Sequence, residues 1–84
     1  LYWHFVNLSE LKLFTSAIID EVENTGGNDP IAKRLRELGF VNGEPVRIVA
    51  RGPISADPLL VQIGFTRFAL RRAEAQRVRI HLTN

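Results

Sequence analysis

Apolar residues recur with two different periods along this chain, and the switch between the periods marks its elements. From Asp29 to Gly39 the spacing is helical, with Ile31, Leu35 and Leu38 at i, i+4 and i+7. Lys33, Arg34, Arg36 and Glu37 cover the other side. Asp29 is a good N-cap, and Pro30 stands at the first helical position, where its missing N–H costs nothing. Gly39 is placed to take the left-handed conformation that ends a helix.

Elsewhere the period is two. Residues 17–23 (AIIDEVE) predict a first strand, with Ile18 and Val22 on one face and Ile19 on the other. Residues 44–51 (EPVRIVAR) set Val46, Ile48 and Ala50 against Arg47, Val49 and Arg51. LLVQI at 59–63 is rich in β-formers, and residues 65–71 alternate Thr66, Phe68 and Leu70 with Arg67, Ala69 and Arg71. Residues 77–82 alternate Arg77, Arg79 and His81 with Val78, Ile80 and Leu82. Residues 24–28 (NTGGN) and the proline-punctuated 52–58 read as loops, and 72–76 as a single helical turn. Residues 9–13 predict a short capped turn, in which the Ser9–Glu10 spacing makes no capping box. The pattern is that of a mainly β domain: about five short strands forming a small, partly closed antiparallel barrel, with a helix inserted after the first strand. Closure of that kind removes the open strand edges that endanger a small domain. Residues 8–84 are expected to form this domain, with 1–7 (LYWHFVN) as an extension that is disordered or pairs with a neighbouring molecule.

Composition narrows the chemistry. With 84 residues there is room for one core, and 45% hydrophobic with 24% charged residues is ordinary for a folded domain. The absence of cysteine removes disulfides, thiolate metal sites and cysteine nucleophiles. No apolar run reaches the roughly 18–20 residues that span a bilayer, and LYWHFV lacks the basic flank of a secretory signal. The net charge of +2 conceals a division. Residues 1–29 carry Lys12 against Glu10, Asp20, Glu21, Glu23 and Asp29. Residues 30–84 carry ten Lys and Arg against Glu37, Glu44, Asp57 and Glu74. Such a basic stretch steers a protein toward acidic surfaces or phosphates, although most arginines simply cover the outer sides of strands.

Catalytic constellations are missing. His4 and His81 are the only histidines, and no metalloprotease motif, P-loop or dinucleotide fingerprint is present. The acids Asp20, Glu21 and Glu23 lie on a strand that points Asp20 away from the other two, without metal-ligand spacing. No enzyme activity and no resident cofactor is expected. A small barrel bearing arginines and aromatics can bind single-stranded nucleic acid, yet no strand carries the aromatic density of an RNA-recognition motif.

The ordered pieces RLRELGFVNGEPVRIVARGP and DPLLVQIGFTRFALRRAEAQRVRI resemble the FeoA family of the bacterial ferrous-iron uptake system. The matching positions are Leu35, Leu38, Gly39, Phe40 and Gly43, then Pro53, Asp57 and Pro58, then Leu70, Arg71, Glu74 and Ala75. The resemblance covers roughly residues 8 to 82. It implies an SH3-like barrel in the cytoplasm that assists FeoB, the membrane permease with a cytosolic GTPase region. Fe(II) is then handled by that partner system, and no nucleic acid is expected as a partner. One departure concerns residues 11–15 (LKLFT), which lack the glycine usual before the first strand, so a different shape is expected there. Related SH3-like domains end metal-dependent repressors, whose helix-turn-helix and dimerisation helices these residues do not supply. A repressor-type regulatory domain and a nucleic-acid-binding barrel stand as the alternatives, and the oligomeric state, a homodimer included, is left open.

The surface expected to meet FeoB is the helix end Arg34, Arg36, Leu38, Gly39 and Phe40, aided by Arg71 and Arg72. It joins a cationic face to an apolar residue just beyond a helix. Leu38 and Phe40 would serve equally well as core.

Overall fold

Six strands, one more than the alternation predicts, form the sheet of the described residues. The structure, a computed structural model, describes residues 6–54 and 57–83, with Ile54 described by its backbone alone. Expectations for residues 1–5, His4 among them, lie outside the described residues, as do Ser55 and Ala56. In chain order the elements are β1 (Val6–Asn7), a 3-10 turn (Leu8–Glu10), β2 (Ala17–Val22), α1 (Pro30–Leu38), β3 (Pro45–Ile54), β4 (Asp57–Ile63), β5 (Thr66–Leu70), α2 (Arg72–Ala75) and β6 (Val78–Leu82). Every neighbouring pair is antiparallel, in the order β1-β6-β2-β3-β4-β5. The sheet curls without closing, since β1 and β5 stand at opposite ends of that order.

The extra strand comes from the expected extension. Val6 and Asn7 pair with Ile80 and Arg79 of β6. Asn7 then caps the 3-10 turn: its side chain accepts from the Ser9 N–H (3.0 Å), while the Asn7 N–H donates to Glu10 (3.0 Å). The cap thus lies two residues earlier than the sequence predicts, at Asn7 rather than Ser9, and it forms the reciprocal capping box that Ser9 could not.

Two corrections to the strand faces share one cause. β2 shifts register between Ile19 and Glu21, and β3 between Ile48 and Ala50. An added residue at a bulge turns the following side chains to the other face. Val22 is therefore buried with Ala17 and Ile19, whereas Ile18 is only half-buried and Ala50 faces solvent. In α1 the buried residues are Ala32 and Leu35, with Leu38 partly covered, while Ile31 remains 41% exposed. A small residue at the contact lets the helix lie close on the sheet.

The predicted loop 52–58 is shorter than its prolines suggest, because β3 runs through Gly52 to Ile54 and β4 begins at Asp57. Gly52 makes this possible. A Cβ there would lie 2.2 Å from the Asp57 carbonyl oxygen, so only a bare Cα admits the returning strand.

The glycine-free LKLFT segment turns sharply, with the Thr15 N–H donating to the Lys12 carbonyl (3.2 Å) and the Phe14 N–H to that of Ile48 (2.9 Å). Phe14 takes φ +62 there while remaining 65% exposed. A left-handed backbone costs an ordinary L-residue about 1–2 kcal/mol. Phe14→Gly is therefore expected to raise stability by about 1 kcal/mol, or several degrees in Tm, since little burial is lost. A fall in Tm by scanning calorimetry would show that the ring's packing outweighs the strain.

Candidate interaction surface

The stretch 35–43 (LRELGFVNG) ends α1 and hands the chain to β3. Gly39 takes φ +116, its N–H donates to the Arg36 carbonyl (3.1 Å), and the Phe40 N–H donates to that of Leu35 (3.1 Å). These two bonds make a Schellman motif, which characteristically brings the apolar residue after the glycine onto the last turn of the helix. Leu35 and Phe40 accordingly both have 0% exposure, and the Phe40 ring lies 5.8 Å from that of Phe68, tilted by 52°. The Phe40 side chain is thus core, the second of the two places that the sequence leaves open to it. Leu38 packs against the core and is only partly accessible. An apolar residue directly after a helix-stopping glycine is a sequence signal for this burial.

The turn is fastened to β2. The Gly43 N–H donates to the Ile19 carbonyl (2.8 Å), the Ile19 N–H to that of Glu44 (2.9 Å), and the Asn42 amide to that of Asp20 (2.8 Å). Between turn, helix end and β2 lies a shallow cleft of about 240 Å³, lined by Asp20, Glu21, Val22, Arg36, Phe40, Val41 and Asn42. Val41 is 43% exposed there, with Arg36 on one wall and Asp20 and Glu21 on the other. Val41 is not among the contact residues expected from the sequence, although an apolar residue between a buried anchor and an Asn-Gly turn has little choice but to face outward.

The expected basic residues divide into two groups. Arg36 belongs to this cleft. Arg34 instead forms an ion pair with Glu74 across α1 and α2, and Glu74 also accepts the Arg71 N–H (2.9 Å). Arg71 is therefore the N-cap residue of α2, and the main-chain N–H of Arg72 donates to the Asp57 carboxylate (2.9 Å). Arg34, Arg71 and Arg72 thus gather on the α1–α2 side, linked through Glu74 and Asp57.

The charge division of the sequence is settled largely inside the sheet, because β2 and β6 are neighbours. Asp20 meets the His81 Nδ1 at 2.6 Å, and Arg79 bridges Glu23 (3.0 Å) and Glu21 (3.9 Å). Arg77 pairs with Asp29 and also donates to the Glu23 carbonyl (3.2 Å). The acidic cluster is therefore partnered by bases of β6 in this fold. A larger open groove, of about 560 Å³, lies beside Pro45–Arg47 and the β4–β5 turn, with Gln62 and a fully exposed Phe65.

Proteins of known family share this fold. The structure superposes on FeoA from Stenotrophomonas maltophilia, an SH3 domain protein solved in complex with zinc, with a TM-score of 0.81 and 61% identity over 89% of this chain and 88% of that one. Iron(II) transport protein A from Clostridium thermocellum matches with a TM-score of 0.81 and 31% identity, over 93% of this chain and 46% of that one. A fusion of Fe(2+) transport protein A with the Fe(2+) transporter FeoB, from Porphyromonas gingivalis, is 34% identical over 77 residues; these are 92% of this chain and 9% of that relative. The fold is SH3-like and mainly β, as the sequence predicts. With the FeoA domain model matching residues 6–82, nearly the whole sequence, the chain belongs to the FeoA domain family.

Proposed function

We propose that this chain is an accessory module of ferrous-iron uptake that docks on the cytosolic region of FeoB and biases its conformation or nucleotide cycle. The observation that carries the reading is the fused relative, in which a segment 34% identical to this chain shares a polypeptide with the transporter. Fusion holds two modules at a high effective concentration, an arrangement that suits partners acting on each other. The work is contact rather than catalysis, carried out in the cytoplasm at the inner face of the membrane. Fe(II) is cargo of the transporter and needs no resident site in this chain. No described helix is long and apolar enough to cross a membrane; docking on FeoB would bring the chain to the inner face.

The docking surface is the end of α1. Val41 offers an apolar anchor, Arg36 and the acids of β2 supply charge of both signs around it, and Arg34, Arg71 and Arg72 extend the basic side. A small exposed apolar centre with a charged rim is the arrangement in which single residues carry much of a binding energy.

Calorimetric titration against the FeoB cytosolic region tests this placement. Val41→Asp and Arg36→Glu are each expected to weaken binding about 10-fold or more while leaving the far-UV circular dichroism unchanged, since both positions are exposed. Variants that bind as the wild type does would move the surface elsewhere. Single-stranded RNA is the control, because an exposed Phe65 near Arg67 is a feature that favours that ligand. Salt-dependent RNA binding without any FeoB binding would overturn the proposal.

A further inference from the structure

Strand β5 ends the sheet order and is bonded on one side only, to β4. The two strands are joined by the two-residue turn Gly64-Phe65, with Ile63 opposite Thr66, Val61 opposite Phe68 and Leu59 opposite Leu70. In such a hairpin the pair flanking the turn exchanges both main-chain bonds, and bonded and non-bonded pairs then alternate along the ladder. Thr66, Phe68 and Leu70 therefore aim their main-chain groups at β4, and Arg67 and Ala69 aim theirs outward. Both residues are exposed, and among the described residues their outward groups have no intramolecular partner. An unpaired edge of this kind is a template for another strand.

We infer that this edge binds a second copy of the chain, β5 against β5, antiparallel about a two-fold axis through Phe68. The register follows from charge, and the occupant from the two aromatics of the hairpin, Phe65 and Phe68, which a second copy covers. Only the outward-facing positions can exchange bonds across the edge, which leaves few registers. One sets Arg67 against Arg67 of the second copy, and another sets Arg67 against Arg71 of the second copy. Both place like charges directly opposite each other, which is destabilising. The register centred on Phe68 sets Arg67 against Ala69 of the second copy at both ends, so no like charges face. It also sets Phe65 against Arg71 of the second copy. The Arg71 main chain is committed to α2, its N–H to the Glu74 carboxylate and its carbonyl to the Glu74 and Ala75 N–H groups. Its side chain alone reaches across, where a guanidinium over an aromatic face is favourable. That contact covers Phe65, whose relative exposure in the single chain is 106%. On the inner face the half-buried Phe68 meets its own copy at a non-bonded pair, where opposing side chains come closest, so the core continues across the axis.

Sedimentation velocity on the full 84-residue chain, from about 10 μM to about 1 mM, tests the inference. The wild type is expected to be a reversible dimer. Ala69→Glu sets a carboxylate opposite Arg67 at both ends of the centred register and is expected to tighten the dimer about 5-fold. Ala69→Pro removes an outward N–H and no bond to β4, so it is expected to give a monomer with the wild-type circular dichroism spectrum. A wild type that stays monomeric throughout, or an Ala69→Pro chain that still dimerises, would overturn the inference. So would weakening by Ala69→Glu, the result of a register that sets position 69 against itself. A chain monomeric alone whose β5 edge becomes protected only on the FeoB cytosolic region would assign the edge to that partner instead.

Discussion

Phe40→Ala is expected to lower the stability of the chain by about 3–5 kcal/mol, a large part of what a domain of this size possesses. The residue is closed to solvent, is clamped behind Gly39 by the Schellman bonds and lies against Phe68 at the heart of the sheet. Its removal takes away a whole aromatic ring and leaves a hole bounded by strands and helix that cannot all collapse into it. In urea the midpoint should fall by about 2–4 M with the slope nearly unchanged, because the same surface is exposed on unfolding. Phe40→Leu keeps most of the volume and should cost about 1.5 kcal/mol or less. An unchanged urea midpoint for Phe40→Ala would show that the ring is not core. Because that variant is expected to be largely destabilised, a loss of FeoB binding in it carries no information about contact. Val41 and Arg36 are the positions that do.

The second large effect is at Asp29. Its Oδ1 accepts the Ala32 N–H (3.1 Å) to cap α1. Its Oδ2 accepts the Thr25 N–H (3.1 Å) and hydroxyl (2.9 Å), and the same oxygen pairs with Arg77 just before β6. One carboxylate therefore fastens the loop after β2, the helix that carries the candidate surface and the last strand. The main-chain N–H groups of Thr25 and Ala32, then the Thr25 hydroxyl and Arg77, hold its acid well below the usual carboxylate range, and burial opposes them only in part. Since the folded-state value is depressed, the stabilisation is fully present above the ordinary aspartate value of roughly 4 and is lost as pH falls below it. Asp29→Asn keeps the shape but puts an amide where a single oxygen served three donors. Its Tm at neutral pH is expected to fall by about 8 °C, measured by scanning calorimetry. The gap to the wild type should narrow steadily below about pH 4. A gap independent of pH would mean that Asp29 acts through cap geometry alone.

These two residues also mark what could be read in one dimension. The helix was legible from Asp29-Pro30 to Gly39 because capping is local chemistry, written in adjacent residues. The strands were legible as strands, but the faces of Val22 and Ala50 were not, since alternation does not announce a bulge. Gly52 hid the length of β3 and β4, because its role appears only when the Asp57 carbonyl comes back beside it. The pairing of the acidic third with Arg77, Arg79 and His81 depends on β6 lying beside β2, a neighbourhood created by topology. At the proposed surface the sequence singled out this turn and left its inside and outside undivided. The Schellman bonds divide it, with Phe40 inward and Val41 outward.

A docking protein can bias its partner only by binding one state of it more tightly than another. The most direct test is therefore the affinity of this chain for the FeoB cytosolic region in three conditions: without nucleotide, with GDP and with a non-hydrolysable GTP analogue. Saturable binding with dissociation constants that differ about 5-fold or more between states is the expected result. Equal affinity in every state would contradict the regulatory role, and no binding in any state would contradict the docking itself.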